Sequence, residues 1–223
     1  MALAALPRTP RRDAAAREHL AGVGSRTQPL VLARDRAIPL AGQLTDLVPG
    51  GSLVRGAVIG VEGPGGTSVG FGLAGAVTAL GEWAAAVELD GTLGALAARE
   101  AGVSLERFAV ARRVPPARWA TVVAALLDGV SLVLAELPRG VRAGDARRLA
   151  ARAREREALL VVSAADAVEG RWGAGTSLTF RAEGSEWIGL DDAGYLTGRA
   201  LQVRVEGRGA AARPRTGELA FAV

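Results

Sequence analysis

The chain has 223 residues, 49% hydrophobic and 22% charged, with a mean hydropathy of +0.22, and its 30 Gly and 10 Pro follow no period. One globular domain with an appendage is expected, and collagen-like, coiled-coil and disordered classes are excluded. There is no Cys, Lys or Asn and a single His, His19, which excludes thiol nucleophiles, disulfides, Cys-ligated zinc, Schiff-base lysines and lysine-dependent phosphate sites.

The net charge of +4 lies wholly in residues 1–36, where seven Arg face Asp13, Glu18 and Asp35. Residues 37–223 carry 20 charges of each sign, so the sequence pI near 10.9 overstates basicity and gives no footing for tight duplex binding. Residues 1–36 are read as a basic arm, with a short helix over Asp13–Leu20, a joint at Gly22, Gly24 and Ser25, and a short strand over Pro29–Ala33. The apolar stretch Ala2–Leu6 is followed by its arginines, and the uncharged run Gly63–Gly81 holds seven glycines. A cytoplasmic chain with no signal peptide and no membrane partner is therefore expected.

Residues 37–223 are read as the main domain, entered through a turn at Pro49-Gly50-Gly51. Short apolar runs at Ala57–Val61, Ala84–Leu89, Phe108–Ala111, Val130–Ala135 and Leu159–Ser163 alternate with helix-like segments at Ser68–Leu80, Leu93–Ala101, Pro115–Leu127 and Gly144–Glu157. Near-continuous apolar strands separated by helices predict an α/β fold, a mostly parallel sheet covered by helices on both faces. Beyond Gly170, alternating runs at Ser177–Ala182, Trp187–Leu190, Tyr195–Val205 and Leu219–Val223 predict an antiparallel extension, with a hairpin at Asp191–Gly194 and a loose loop over Gly207–Gly217.

The segment Gly63-Pro64-Gly65-Gly66-Thr67-Ser68-Val69-Gly70 joins the first main strand to the first main helix, the place of phosphate-binding loops. Against the template Gly-x-x-x-x-Gly-Lys-Ser/Thr, Gly63 fits, Ser68 replaces the second glycine, Val69 stands at the lysine and Gly70 at the hydroxyl residue. The amides of Gly65, Gly66 and Thr67 still offer an anion nest. Without the lysine, however, a charge-assisted bond of about 1.5–3 kcal/mol is missing, so a glycine turn packing helix on strand is the expected role. Gly66-Thr67-Ser68-Val69-Gly70 also fits a serine-hydrolase elbow, but His19 precedes the serine in the arm, where no general base is expected.

Glu88, Asp90 and Glu136 close the second and fourth of these strands, at the edge where open sheets bind ligands. Their expected state is solvated or arginine-paired, with no metal held. Five arginines, Arg147, Arg148, Arg152, Arg154 and Arg156, share one helix. Arg147, Arg148, Arg152 and the glycine-flanked Trp172 are the candidates for contact with a partner or with single-stranded DNA, whereas Trp83, Trp119 and Trp187 are expected in the core.

Three blocks, LVPGGSLVRGAVIGVEGPGGTSVGFGLA, AAAVELDGTLGALAAREAGVSLERFAV and SLVLAE, in this order over about residues 45–163, resemble a RecA-type core. The resemblance places the family's catalytic lysine on Val69, its hydroxyl residue on Gly70, its water-orienting glutamate on Asp90, its Walker B aspartate on Glu136 and its nucleotide-sensing glutamine on Ala165. The segments that correspond to DNA-binding loops, between Pro138 and Gly144 and between Asp166 and Gly175, are short. Together with the basic arm, the chain resembles actinobacterial ImuA-type (ImuA-prime) mutasome accessory proteins. That resemblance implies a non-catalytic adaptor in damage-induced translesion synthesis, with no cofactor and no ATP turnover. Its implied partners are an ImuB-type polymerase-like subunit and, through it, an error-prone C-family polymerase. The alternatives are an ATPase whose cation is an arginine such as Arg55 or Arg199, a DNA-binding module, and a SulA-type division inhibitor.

Overall fold

The structure, a computed structural model, describes residues 37–189 and 194–222. The arm, His19 and the Asp191–Ala193 part of the hairpin turn lie outside the described residues.

The described chain opens with β1 (Ala37–Pro39), a short helix α1 (Gln43–Leu47) and β2 (Ser52–Val54), the two strands pairing antiparallel. Then come β3 (Val58–Glu62), α2 (Gly66–Ala79), β4 (Ala84–Val87), α3 (Ala95–Glu100), β5 (Phe108–Ala111), α4 (Pro116–Leu127), β6 (Leu132–Glu136), α5 (Ala143–Arg156), β7 (Leu159–Ala164) and α6 (Glu169–Trp172). The chain ends in β8 (Leu178–Ile188), β9 (Gly198–Gly207) and β10 (Arg215–Ala222). Eight strands form one sheet in the order β10-β9-β8-β3-β7-β6-β4-β5. Pairing is parallel from β8 to β5 and antiparallel between β8, β9 and β10. The mostly parallel sheet with an antiparallel C-terminal extension is therefore present, and α1 is an element the sequence pattern did not reveal.

Alternation within the parallel strands feeds two apolar layers. Ile59, Val61, Leu159 and Val161 pack with Val69, Phe71 and Leu73 of α2 on one face, while Val58, Leu160 and Val162 pack with Trp119 and Val123 of α4 and Leu149 of α5 on the other. Burial on both faces explains why these strands read as unbroken apolar runs. From the extension, Phe180, Leu201, Val203 and Leu219 join the first layer. The other face of β9 and β10 presents polar groups, such as the Gln202 amide donating to Glu218 at 2.7 Å.

Two expectations about the extension need correction. The runs expected at Ser177–Ala182 and from Trp187 are not two strands: residues 178–182 and 187–188 both lie in β8, which passes a register shift between Ala182 and Gly184, a bulge absorbing the break in alternation; Leu190 lies outside the described residues. The stretch Gly207–Gly217 is no loose loop, because a 3-10 turn at Gly209–Ala211 buries Ala211 and β10 begins at Arg215. Two tryptophans expected in the core are half exposed, Trp83 at 48% and Trp187 at 47%. Trp187 lies in the part of β8 beyond its pairing with β3, which ends at Arg181, and Arg199 stacks on its ring. Trp119 is buried as expected. Among the described residues, no helix is long and apolar enough to cross a membrane.

Candidate functional site

The glycine-rich segment leaves the carboxyl end of β3, turns at Gly63–Gly65 and enters α2 at Gly66. Gly65 has φ 96°, and a Cβ there would lie 2.4 Å from Arg199 Nη2 and 2.8 Å from Leu201 Cδ1, so only glycine lets β9 approach this closely. The Gly66 amide donates to the Gly63 carbonyl at 3.0 Å and the Ser68 amide to the Gly65 carbonyl at 3.0 Å. One of the three amides expected in an anion nest is thus engaged within the turn itself.

Val69, which the sequence resemblance sets at the lysine position, points into the protein: it is 0% exposed and belongs to the apolar layer between α2 and the sheet. Next to it, a Cβ on Gly70 would lie 2.8 Å from Leu134 Cδ1 of β6, leaving no room for a hydroxyl-bearing side chain without movement of that leucine. Both residues suit the packing of a nearly all-apolar helix that is buried over most of its surface.

A cleft of about 730 Å³ opens at this edge, lined by Gly63–Thr67, Asp90 and Glu136, together with Arg113, Arg139 and Arg171. It brings together the turn and two of the three acidic positions singled out from sequence. Ser68 and Val69 line a different, smaller groove beside α1 and β10. The three arginines were not foreseen as neighbours of the turn, because they come from two loops and the short helix α6, far apart in the chain.

The carboxylates are occupied by backbone. Glu88 is 0% exposed; its Oε2 accepts from the Leu93 amide at 2.9 Å, and its Oε1 lies 3.2 Å from Arg112 Nη1 without hydrogen-bond geometry. Glu136 Oε2 accepts from the Leu89 amide at 2.7 Å, tying β6 to the loop after β4. Glu62, given no role from the sequence, does the same on the other side: Oε2 accepts from the Val168 amide at 2.7 Å and Oε1 pairs with Arg181 Nη2 at 2.7 Å. Its signal was an acid ending a fully apolar strand just before a glycine turn. Asp90 is exposed at the cleft wall.

The other proposed contact residues are scattered. Trp172 is 1% exposed, packs in the layer with Trp119 and Leu149, and donates from Nε1 to the Gly175 carbonyl at 3.2 Å. It is a core residue, not a stacking platform: α6 turns its ring inward, while the flanking glycines shape the turn that receives its N–H. Arg148 pairs with Asp145, and Arg152 takes Asp128 with both Nε, at 2.8 Å, and Nη2. These bonds hold Asp128 below the ordinary carboxylate range and raise Arg152 above its own. Arg147 lies exposed on the same helix. Arg55 pairs through both guanidinium nitrogens with Glu82 at 2.9 and 2.5 Å, in the turn before β3 and so at the far end of the sheet from the glycine turn. Arg199, in contrast, lies against that turn, stacked 5.0 Å from the Trp187 ring centre, with its Nε buried and unpartnered.

A protein-family model described as the MT3502 N-terminal domain matches residues 46–170. Among solved structures, the chain is similar to the RadB recombinase in its crystal structure, at 16% identity and a TM-score of 0.55, over 78% of this chain and 91% of that one. The likeness is one of fold, and the fold is RecA-like. No curated protein matches the sequence.

Proposed function

This chain belongs to the MT3502 N-terminal domain family, and from the three sequence blocks that resemble a RecA-type core we propose that it is a non-catalytic RecA-fold adaptor of a damage-induced translesion synthesis complex, similar to ImuA-prime. It docks an ImuB-type polymerase-like subunit and, through it, an error-prone C-family polymerase, and it turns over no ATP. The observation that carries the reading is Val69, wholly buried at the position where a nucleotide-binding loop needs a cation facing the phosphates. The strand-end carboxylates add support, since Glu62, Glu88 and Glu136 each hold a backbone amide rather than standing open to a metal.

Co-elution of the full chain with folded ImuB tests the reading. A stable complex is expected, and its absence counts against the adaptor role.

One observation favours a second reading, in which the chain binds nucleotide without hydrolysing it. Arg199 sits against Gly65 with an unpartnered Nε, and Arg113, Arg139 and Arg171 border the cleft. Calorimetry with magnesium-ATP separates the two: no heat of binding is expected of the adaptor, whereas saturable micromolar binding lost in Arg199→Ala would establish the second.

A further inference from the structure

At the opposite, amino end of the sheet, a second cleft of about 520 Å³ opens between the β2–β3 turn, the end of α5, the start of β8 and the 3-10 turn after β9. Its volume falls within the roughly 300–1,000 Å³ of ligand-sized sites. We propose that this cleft docks a short extended segment of a partner protein in which apolar side chains stand next to Asp or Glu. The assignment rests on the cleft and not on the mutasome reading, so a failed ImuB co-elution leaves it standing.

Its floor is aliphatic, made by Leu53, Ala57, Leu178 and Ala211, and Val54 at its margin is 61% exposed. Such a surface gains from covering apolar side chains. Its walls are positive: Arg55, Arg154 and Arg208 face Glu157 as the one carboxylate of the lining. Arg55 is neutralised by Glu82 from outside the lining, and the Glu157 charge also acts on it. Arg154 and Arg208 are exposed and have no ion-pair partner among the described residues. A carboxylate arriving between them meets two guanidiniums that have no ion-pair partner among the described residues, which favours encounter and fixes register.

A protein segment fits better than a nucleic acid. No aromatic side chain lines the cleft, so bases have no stacking platform, and two free guanidiniums give a short phosphate track. The walls are also firm, because the turn at Gly56 packs on the α5 backbone, a Cβ there lying 3.0 Å from Arg154 Cα.

The test uses the full chain and a phage-displayed library of random dodecapeptides. Selection is expected to enrich peptides with Asp or Glu beside Leu, Ile or Val. A labelled selected peptide, followed by anisotropy, should lose at least about tenfold in affinity to the double variant Arg154→Glu with Arg208→Glu, the scale of losing a charge-assisted pair. Circular dichroism checks that this variant is folded; should it not be, Arg154→Gln with Arg208→Gln carries the same expectation. Failure to recover any peptide, enrichment without acidic residues, or equal affinity for the variants overturns the proposal. Displacement of the selected peptide by an oligothymidine also overturns it, in favour of nucleic acid.

Discussion

The two ends of the central sheet treat charge in opposite ways. At the carboxyl end, Glu62, Glu88 and Glu136 each accept a main-chain amide from a loop above the strands, and Arg181 and Arg112 approach two of them. At the amino end, Arg154 and Arg208 stand in the open beside a cleft, while Arg55 with Glu82 joins two turns and Arg152 with Asp128 joins two helix ends. The first arrangement uses charge to hold loops, which a buried carboxylate can do because an ionised acceptor makes hydrogen bonds about twice as strong as a neutral one. The second leaves two guanidiniums without an ion-pair partner among the described residues. An edge that binds ligands in most open sheets is here stitched to its own backbone.

The largest effect should come from writing the lysine and hydroxyl residue of a phosphate-binding loop into the glycine turn. Val69→Lys places an ammonium in a fully buried position, and Gly70→Thr forces a branched side chain against Leu134. Overpacking alone costs about 1–3 kcal/mol, and an unpaired buried amine costs further kcal/mol or titrates to neutrality. The double variant should therefore lose about 4 kcal/mol or more in urea denaturation and release no phosphate from ATP. A stable variant that hydrolyses ATP would show the carboxyl end to be a motor lacking two side chains.

Next come the stitches. Glu62→Ala and Glu88→Ala each strand a loop amide, at Val168 and Leu93 respectively, and should cost about 1–3 kcal/mol each. Glu62→Gln keeps an acceptor for the Val168 amide and loses the pairing with Arg181, so it should fall between Glu62→Ala and the unaltered chain. Equal stability of all three variants would mean that these carboxylates were kept for a ligand.

How much of this was legible in the sequence follows from the same physics. Parallel strands such as Leu159–Ala164, buried on both faces, announce themselves as continuous apolar runs, and Phe108–Ala111 was bounded correctly to the residue. The antiparallel end was harder, because β8 is interrupted by a register shift that local alternation cannot anticipate. Tryptophan placement failed in both directions. Trp172 looked exposed among glycines and is core; Trp83 and Trp187 looked like core and are half exposed, because burial depends on which layer covers a strand end. Asp90 and Glu136 were recognisable as strand-end acids on one cleft, but which backbone amide a carboxylate would hold is a long-range fact, Glu62 and Val168 being 106 residues apart.

A smaller effect is expected at the amino end. The Arg55 bonds, helped by Ser131, hold Glu82 below the ordinary carboxylate range, so the stability it contributes is present above the unfolded value near 4.3 and is lost as pH falls through the lower folded value. With both groups partly exposed, about 0.5–1 kcal/mol is at stake. Urea midpoints measured from neutral pH down through that acid range should converge for the unaltered chain and Glu82→Gln, and parallel curves would show the pair to be idle.

Smallest of all should be the effect of Arg154→Ala with Arg208→Ala. Neither guanidinium has an ion-pair partner among the described residues and both are exposed, so removing them should change stability by less than about 0.5 kcal/mol. The side-chain stems can cover some apolar floor, which sets the sign of any residual as a slight loss. Near-neutrality here, beside a clear loss for Glu62→Ala, would separate charge that folds the protein from charge that does not. A loss as large as that of Glu62→Ala would instead make Arg154 and Arg208 structural and erase the difference between the two ends of the sheet.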